Sequence, residues 1–189
     1  MINREKFYYV VRKELFKGVL KQEQVDGINF ILDVWEAGYT QKVTLPFLAY
    51  ALATTHHETD ATMQPIREYG KGRGRPYGRP HVRTKQIYFG RGYVQLTWFE
   101  NYLRAEKEYN LPFTTDPDLA LDPSNAAKIM FDGMLEGWFT GKRFASYITV
   151  GTFEQFRQAR RIINAMDKAS LIAGYATDYL AALKAGMEE

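Results

Sequence analysis

The sequence predicts a mainly α domain of the α+β class, with one small β-hairpin element and no repeat. Three observations carry this. Apolar residues recur at helical spacing through most of the chain. Cap and stop residues bracket those runs. A single stretch, 70–92, is so rich in glycine, proline and arginine that no long helix can form in it. The 189 residues fit one domain, 1–189, with a proper core.

Residues 3–16 read as a helix, with Phe7, Val10, Val11 and Leu15 in register and Gly18 as punctuation. A second helix spans 22–37, with Val25, Ile28, Ile31, Leu32 and Trp35 on one side and Gly38 as its stop. Thr44 is placed to cap a third helix, and Pro46 stands in its first turn, where a missing N–H costs little. Leu45, Leu48, Ala49 and Leu52 give it a buried stripe, and it ends near Glu58. The short alternating runs Val82-Arg83-Thr84 and Gln86-Ile87-Tyr88-Phe89 suggest the hairpin. Thr97, with Glu100 three residues on, reads as a capping box for a helix through Glu108. Asp122 caps and Pro123 begins the next, whose core face is Ile129, Met130, Met134, Leu135 and Trp138, ending at Gly141. A last helical pair covers 152–164 and 168–185.

Composition removes several chemistries. There is no cysteine, hence no disulfide, no thiolate metal site and no cysteine nucleophile. The N-terminal residues are charged throughout and lack the apolar run of a signal peptide, and no stretch has the length of a membrane span. The expectation is a chain made in the cytoplasm, not inserted in a membrane, that needs another protein to let it out if it acts on the cell wall. His56 and His57 are adjacent, so on a helix they point about 100° apart and cannot share a metal. Ala61 stands where a zinc-protease helix would carry its second histidine, so no metal is expected. The serines Ser124, Ser146 and Ser170 lie in no nucleophile elbow. Around Gly90-Arg91-Gly92 the spacing fits no nucleotide loop.

What remains is a pair of carboxylates. Glu58 ends an apolar helix, where the helix dipole and partial burial both favour the protonated form that a general acid needs. Glu68 follows ten residues later in a polar, cationic loop, where an ionised carboxylate is at home. Two carboxyl groups in contrasting surroundings are the equipment of glycoside hydrolysis. The same pattern also allows a plain structural role, in which Glu58 caps the helix or pairs with an arginine. Between Arg67 and Arg91 stand eight basic residues against one acid, Glu68; this local charge of +7 leaves −4 on the remainder of the chain. Such a field suits an anionic polymer, whether nucleic acid, membrane surface or acidic cell-wall glycan, and it also suits a merely solvated loop.

Four stretches narrow the choice. His57-Glu58-Thr59, the run Tyr88-Phe89-Gly90-Arg91-Gly92-Tyr93-Val94-Gln95-Leu96-Thr97-Trp98, Asn101-Tyr102 and Arg161-Ile162-Ile163-Asn164 closely resemble the signature of glycoside hydrolase family 19. That family includes chitinases and phage endolysins, and the compact, cysteine-free chain is more similar to the phage and prophage branch. The resemblance implies a lysozyme-like bilobal helical fold and an inverting acid–base mechanism without a cofactor. Glu58 matches the general acid, Glu68 the general base, and Thr97 the hydroxyl residue that helps hold the attacking water. Gln95, Asn101 and Asn164 match residues lining the sugar subsites. His57, Arg67 and Tyr88, in or beside the same motifs, complete the candidate substrate-binding set. The sequence departs from the family where Ala165-Met166 follow Asn164 in place of Gly-Gly, and in its short, strongly basic 70–88 loop.

The resulting expectation is a monomeric endolysin-type hydrolase, a muramidase or glucosaminidase cutting β-1,4 bonds of peptidoglycan after release by a holin-type partner. Chitin is the second substrate. Two rivals lack catalysis: a nucleic-acid-binding module using the basic segment with Tyr77, Tyr88 and Tyr93 for stacking, and a glycan-binding protein. Retention of both carboxylates argues against the latter, and no nucleic-acid partner is expected.

Overall fold

The computed structural model describes residues 1–187. Seven α-helices form: α1 (Arg4–Glu14), α2 (Gln22–Gly38), α3 (Leu45–Glu58), α4 (Phe99–Tyr109), α5 (Pro123–Glu136), α6 (Phe153–Ala159) and α7 (Ala169–Met187). The β structure among these residues is a two-stranded antiparallel ladder, β1 (Ile66–Arg67) on β2 (Arg91–Gly92), pairing Ile66 with Gly92 and Arg67 with Arg91, and one isolated bridge from Arg91 to Leu96. Among the described residues no helix is long and apolar enough to cross a membrane.

One group of helices gathers around α7, which packs on α3, α1 and α6. On the other side, α5 packs on α2 and on the 3-10 turn Pro117–Leu121, which also meets β2. The third helix differs from its expected form. It is buried from Leu48 to His56 without interruption, so it is a central helix and has no solvent face to balance its apolar stripe. Thr44 does occupy its N-cap position in extended backbone, but the hydroxyl makes no capping bond.

The chain leaves α3 through a tight return. The Thr59 hydroxyl donates to the Thr55 carbonyl at 2.7 Å and accepts from the Met63 N–H at 3.1 Å. Asp60, Ala61 and Met63 all take left-handed backbone, a cost that three non-glycine residues bear only when the surroundings hold them. The surroundings are α2: Gln24 Nε2 donates to the Ala61 carbonyl and Gln64 Nε2 to the Glu23 carbonyl. Gly27 makes the approach possible, since a Cβ there would lie 2.0 Å from the Met63 oxygen. This return sends the chain from Glu58 to β1 and Glu68.

The two-stranded element exists, but its strands flank the basic loop, and residues 82–89 form turns and irregular backbone. The reason is the pairing of β1 with β2 across more than twenty residues, fixed by Arg91. Its guanidinium is 6% exposed, bonds Asp118 Oδ1 at 2.7 Å, donates to the Ile87 and Phe89 carbonyls and Tyr102 Oη, and lies 3.7 Å over the Phe89 ring.

The expected capping box of α4 does not form. Trp98, at φ 70°, takes the N-cap position, so Thr97 lies one residue outside it and no side-chain capping bond forms. Asp122 caps α5 as expected, accepting from the Asn125 N–H, but the helix stops at left-handed Gly137, four residues before Gly141. The Thr152–Asn164 segment is α6 only to Ala159, then tightens to a 3-10 turn, Arg160–Ile162.

Candidate active site

Five of the candidate residues line one cleft of about 490 Å³: Glu58, Gln95, Thr97, Asn101 and Asn164. Arg75, Tyr77, Val94, Trp98, Phe139 and Ile163 complete its walls. The end of α3, the loop before α4, the first turn of α4 and the turn after α6 therefore converge on a single groove. It is the size of a site that holds a few sugar units.

Glu58 is 17% exposed and bonded by its Oε1 to Arg160 Nη1 at 2.7 Å. Arg160 is buried, and its Nε donates to the Asp167 carbonyl at 3.0 Å. Arginine pairing, one of the structural roles open to Glu58, is thus realised, in a side chain that also opens into the cleft. Arg160 itself was not singled out by the sequence. Its neighbour Arg161, in the matched motif, instead bonds Gln158. The signal that could have found Arg160 is a basic residue on the buried side of a short helix beside Ala159 and Phe156.

Glu68 does not line the cleft. Its Oε1 accepts from Tyr77 Oη at 3.2 Å and its Oε2 from the Gly90 N–H at 3.1 Å, while its own N–H donates to the Gly90 carbonyl at 2.7 Å. Tyr77 lines the cleft, so one hydroxyl separates the second carboxylate from the groove.

The amides are partly committed. Gln95, in left-handed backbone, donates through Nε2 to the Ile66 and Gly92 carbonyls and so ties the cleft wall to the β ladder. Asn101 Nδ2 donates to the Thr97 carbonyl, and Asn164 Oδ1 accepts from the Ala165 N–H. These bonds leave the Asn101 oxygen and the Asn164 nitrogen uncommitted, on two residues that line the cleft.

The other candidates lie elsewhere. Arg67 bonds Asp118 Oδ2 at 2.7 Å on the surface. Tyr88 is buried, donates to the Thr114 carbonyl, and contributes to a neighbouring pocket. His57 is half-buried beside Glu58 and is absent from the cleft walls; burial first, and the Arg160 and Lys168 charges after it, hold its imidazole below the usual range against the opposing pull of Glu58 and Asp167. His56 is stacked between Phe16 and Tyr175 with its Nδ1 3.1 Å from Tyr179 Oη. Burial, with a smaller part from His57, lowers its imidazole to about 4, so it is neutral at neutral pH. Asp118 sits below the usual carboxylate range: burial pushes it up, and the bonds from Arg67 and Arg91 more than offset this. Two of the eight cations of the basic segment are thereby paired. No cluster of three or more metal-ligating side chains stands together among the described residues.

No protein-family model matches the chain. It is similar to an acidic endochitinase of Dioscorea japonica, 35% identical over 78 residues, which is 41% of this chain; the match spans 29% of the length of that relative. Its backbone is similar to chitinase C from Streptomyces griseus, with a TM-score of 0.62, 19% identity and coverage of 97% of this chain and 76% of the other. A bacterial family 19 chitinase gives a TM-score of 0.57 at 19% identity, covering all of this chain and 96% of its own. With its two-stranded element and its cleft between helical lobes, the chain has the lysozyme-like fold of the family 19 chitinases.

Proposed function

We propose that the protein is an inverting glycan hydrolase that cleaves β-1,4 bonds beside N-acetylated sugars, with peptidoglycan as substrate and chitin as the second choice. The observation that carries the proposal is the convergence of Glu58, Thr97, Gln95, Asn101 and Asn164 on one cleft. A carboxyl group surrounded by neutral hydrogen-bonding side chains is what a sugar chain with hydroxyl and acetamido groups requires.

Glu58 is the general acid. Arg160, bonded to Glu58 at 2.7 Å, stabilises the carboxylate that forms as the proton moves to the leaving oxygen. The interaction therefore grows along the reaction, which is the condition for lowering a barrier. Glu68 is the general base; it reaches the groove through the Tyr77 hydroxyl that bonds its Oε1 and lines the cleft. An ionised carboxylate retains lone pairs beyond the two bonds it accepts, enough to take a proton from water. Inverting enzymes leave room for that water by holding the two carboxyl groups about 6.5–9.5 Å apart. Thr97, relieved of the capping role, can hold it. The Asn101 oxygen and the Asn164 nitrogen supply one acceptor and one donor to the sugar.

The basic loop favours peptidoglycan, because long-range attraction helps an anionic wall polymer and does nothing for neutral chitin. In this reading the chain is a lytic enzyme of the phage or prophage type, acting as a monomer after another protein opens the inner membrane.

The test is mass spectrometry of purified peptidoglycan and of chitin oligomers after digestion by wild type, Glu58→Gln and Glu68→Gln. Glu58→Gln is expected to be inert on every substrate, and near-normal turnover would refute its role. Glu68→Gln is expected to bind but barely turn over; unchanged turnover would move the base elsewhere. Salt-sensitive DNA binding by a wild type that cuts no glycan would instead favour the nucleic-acid reading.

A further inference from the structure

We propose that Arg75 is a specificity residue that binds a carboxylate carried by the polysaccharide, so that the cleft selects acidic N-acetylated glycan over neutral glycan. This rests on the glycan-hydrolase reading above and names the feature of the substrate that the cleft recognises.

Arg75 is the only cationic side chain among the described residues that line the cleft. No carboxylate among the described residues lies within ion-pair distance of it, in contrast to Arg67, Arg91 and Arg160, each of which has its acid. An arginine fork is the side chain best matched to a carboxylate, and two parallel N–H···O bonds fix both position and orientation.

The backbone beneath it is built to hold this position. Gly72 and Gly78 touch across the loop: a Cβ on Gly78 would lie 1.8 Å from the Gly72 oxygen, and one on Gly72, at φ +72°, would lie 2.6 Å from the Gly78 Cα. The Arg75 N–H donates to the Gly72 carbonyl at 2.9 Å, and the Arg75 carbonyl accepts from the Gly78 N–H at 3.0 Å. Pro76 fixes the next φ. The seven-residue loop is thus cross-tied at both ends and at its tip, and this backbone places Arg75, an exposed side chain, at the cleft wall. Tyr77, two residues on, anchors the same turn to Glu68 and so to the floor beside the groove.

The other unpaired cations of the loop do not share this place. Arg79 lines the adjoining pocket with His81, Tyr88 and Phe99, and Tyr77 and Trp98 form the wall between that pocket and the cleft. The diffuse charge of the loop draws in any polyanion; Arg75 alone is positioned to read one carboxylate on a sugar already in the groove. Two sources present such a group on an N-acetylated glycan: a free lactyl ether carboxylate on the sugar ring, or the carboxylates of a peptide joined to it.

The experiment compares wild type, Arg75→Gln and Arg75→Lys on three oligomers of equal length. These are a neutral N-acetylglucosamine oligomer, an oligomer alternating with lactyl ether sugars whose carboxylates are free, and the same oligomer bearing stem peptides. The readout is the ratio of kcat/KM for each acidic oligomer to that for the neutral one, with affinities measured by calorimetry in a Glu58→Gln background. Arg75→Gln is expected to reduce the ratio about tenfold, the effect of one charge-assisted hydrogen-bonded pair, and Arg75→Lys to restore part of it. The acidic oligomer that shows the loss identifies which source supplies the carboxylate. Equal loss on all three oligomers, or no loss on any, overturns the proposal. The first would mean that Arg75 serves Tyr77 and Glu68, the second that it serves only solubility. Should wild type cut none of the oligomers, the hydrolase reading fails, and Arg75 is judged by the affinity ratio alone.

Discussion

His56 makes the stability of this fold acid-sensitive by an amount that can be worked out. Its ring is buried between Phe16 and Tyr175, against Tyr179, and titrates near 4 where a free histidine titrates near 6.5. Between those two values the unfolded chain binds a proton that the folded chain refuses. Lower pH therefore favours unfolding, and the stability held above pH 6.5 drains away as pH falls toward about 4. The gap of about 2.5 units corresponds to about 3 kcal/mol in full, of which about 2 kcal/mol is already lost at pH 5. For a chain of this length that is a fall of about 4–8 °C in Tm. The assay is urea unfolding of wild type and His56→Gln from pH 7.5 to pH 4.5. Titrating groups remote from His56 cancel in the difference, and the adjacent His57, which it repels, does so only in part. His56→Gln is expected to be less stable at pH 7.5, where ring packing is lost, and to close most of that gap by pH 5. A pH-independent difference, or an imidazole resonance of His56 that titrates near 6.5, would show that the ring is not sealed in.

Three further changes probe the same architecture. Arg160→Met strands the Glu58 carboxylate and is expected to cost about 3–5 kcal/mol in urea unfolding, with much of it recovered in the Arg160→Met/Glu58→Gln double variant; a stable single variant would mean that water takes over the bond. Tyr77→Phe removes the hydroxyl that holds Glu68 and is expected to lower kcat about five- to tenfold on whichever glycan is cut, with Tm little changed; an unaltered kcat would detach Glu68 from the chemistry. Gly27→Ala drives a methyl group against the Met63 carbonyl and is expected to cost about 1–3 kcal/mol, while the same change at exposed Gly38, with open space around it, costs nothing comparable.

Elements whose cause is local were legible in the chain. Asp122-Pro123 announces α5 because the cap and the fixed φ act within four residues. Features decided at a distance were not. β1 and β2 are two residues each, too short to carry an alternation pattern, and they pair because Asp118 gathers Arg67 and Arg91. Thr97-x-x-Glu100 satisfies a capping rule that left-handed Trp98 pre-empts. At the site, the helix end named Glu58, and the motifs resembling family 19 named Thr97, Gln95, Asn101 and Asn164, which line one cleft with it. Neither could place Arg160, whose partner is 102 residues away in the chain, nor show that Tyr77 stands between Glu68 and the groove.

The packing of α3 on α7 sets a timetable for synthesis. The contact from His56 to Tyr179 spans 123 residues, so ring closure of that length precedes any reward from the packing, and refolding should be slower than in bundles of neighbouring helices. On a ribosome adding about 5–20 residues per second, α3 waits roughly 6–25 s for its cover, with the later buried run Leu48–His56 uncovered on that side in the meantime. The groove beside Glu58 is complete only once translation has passed Asn164, the last residue that lines it.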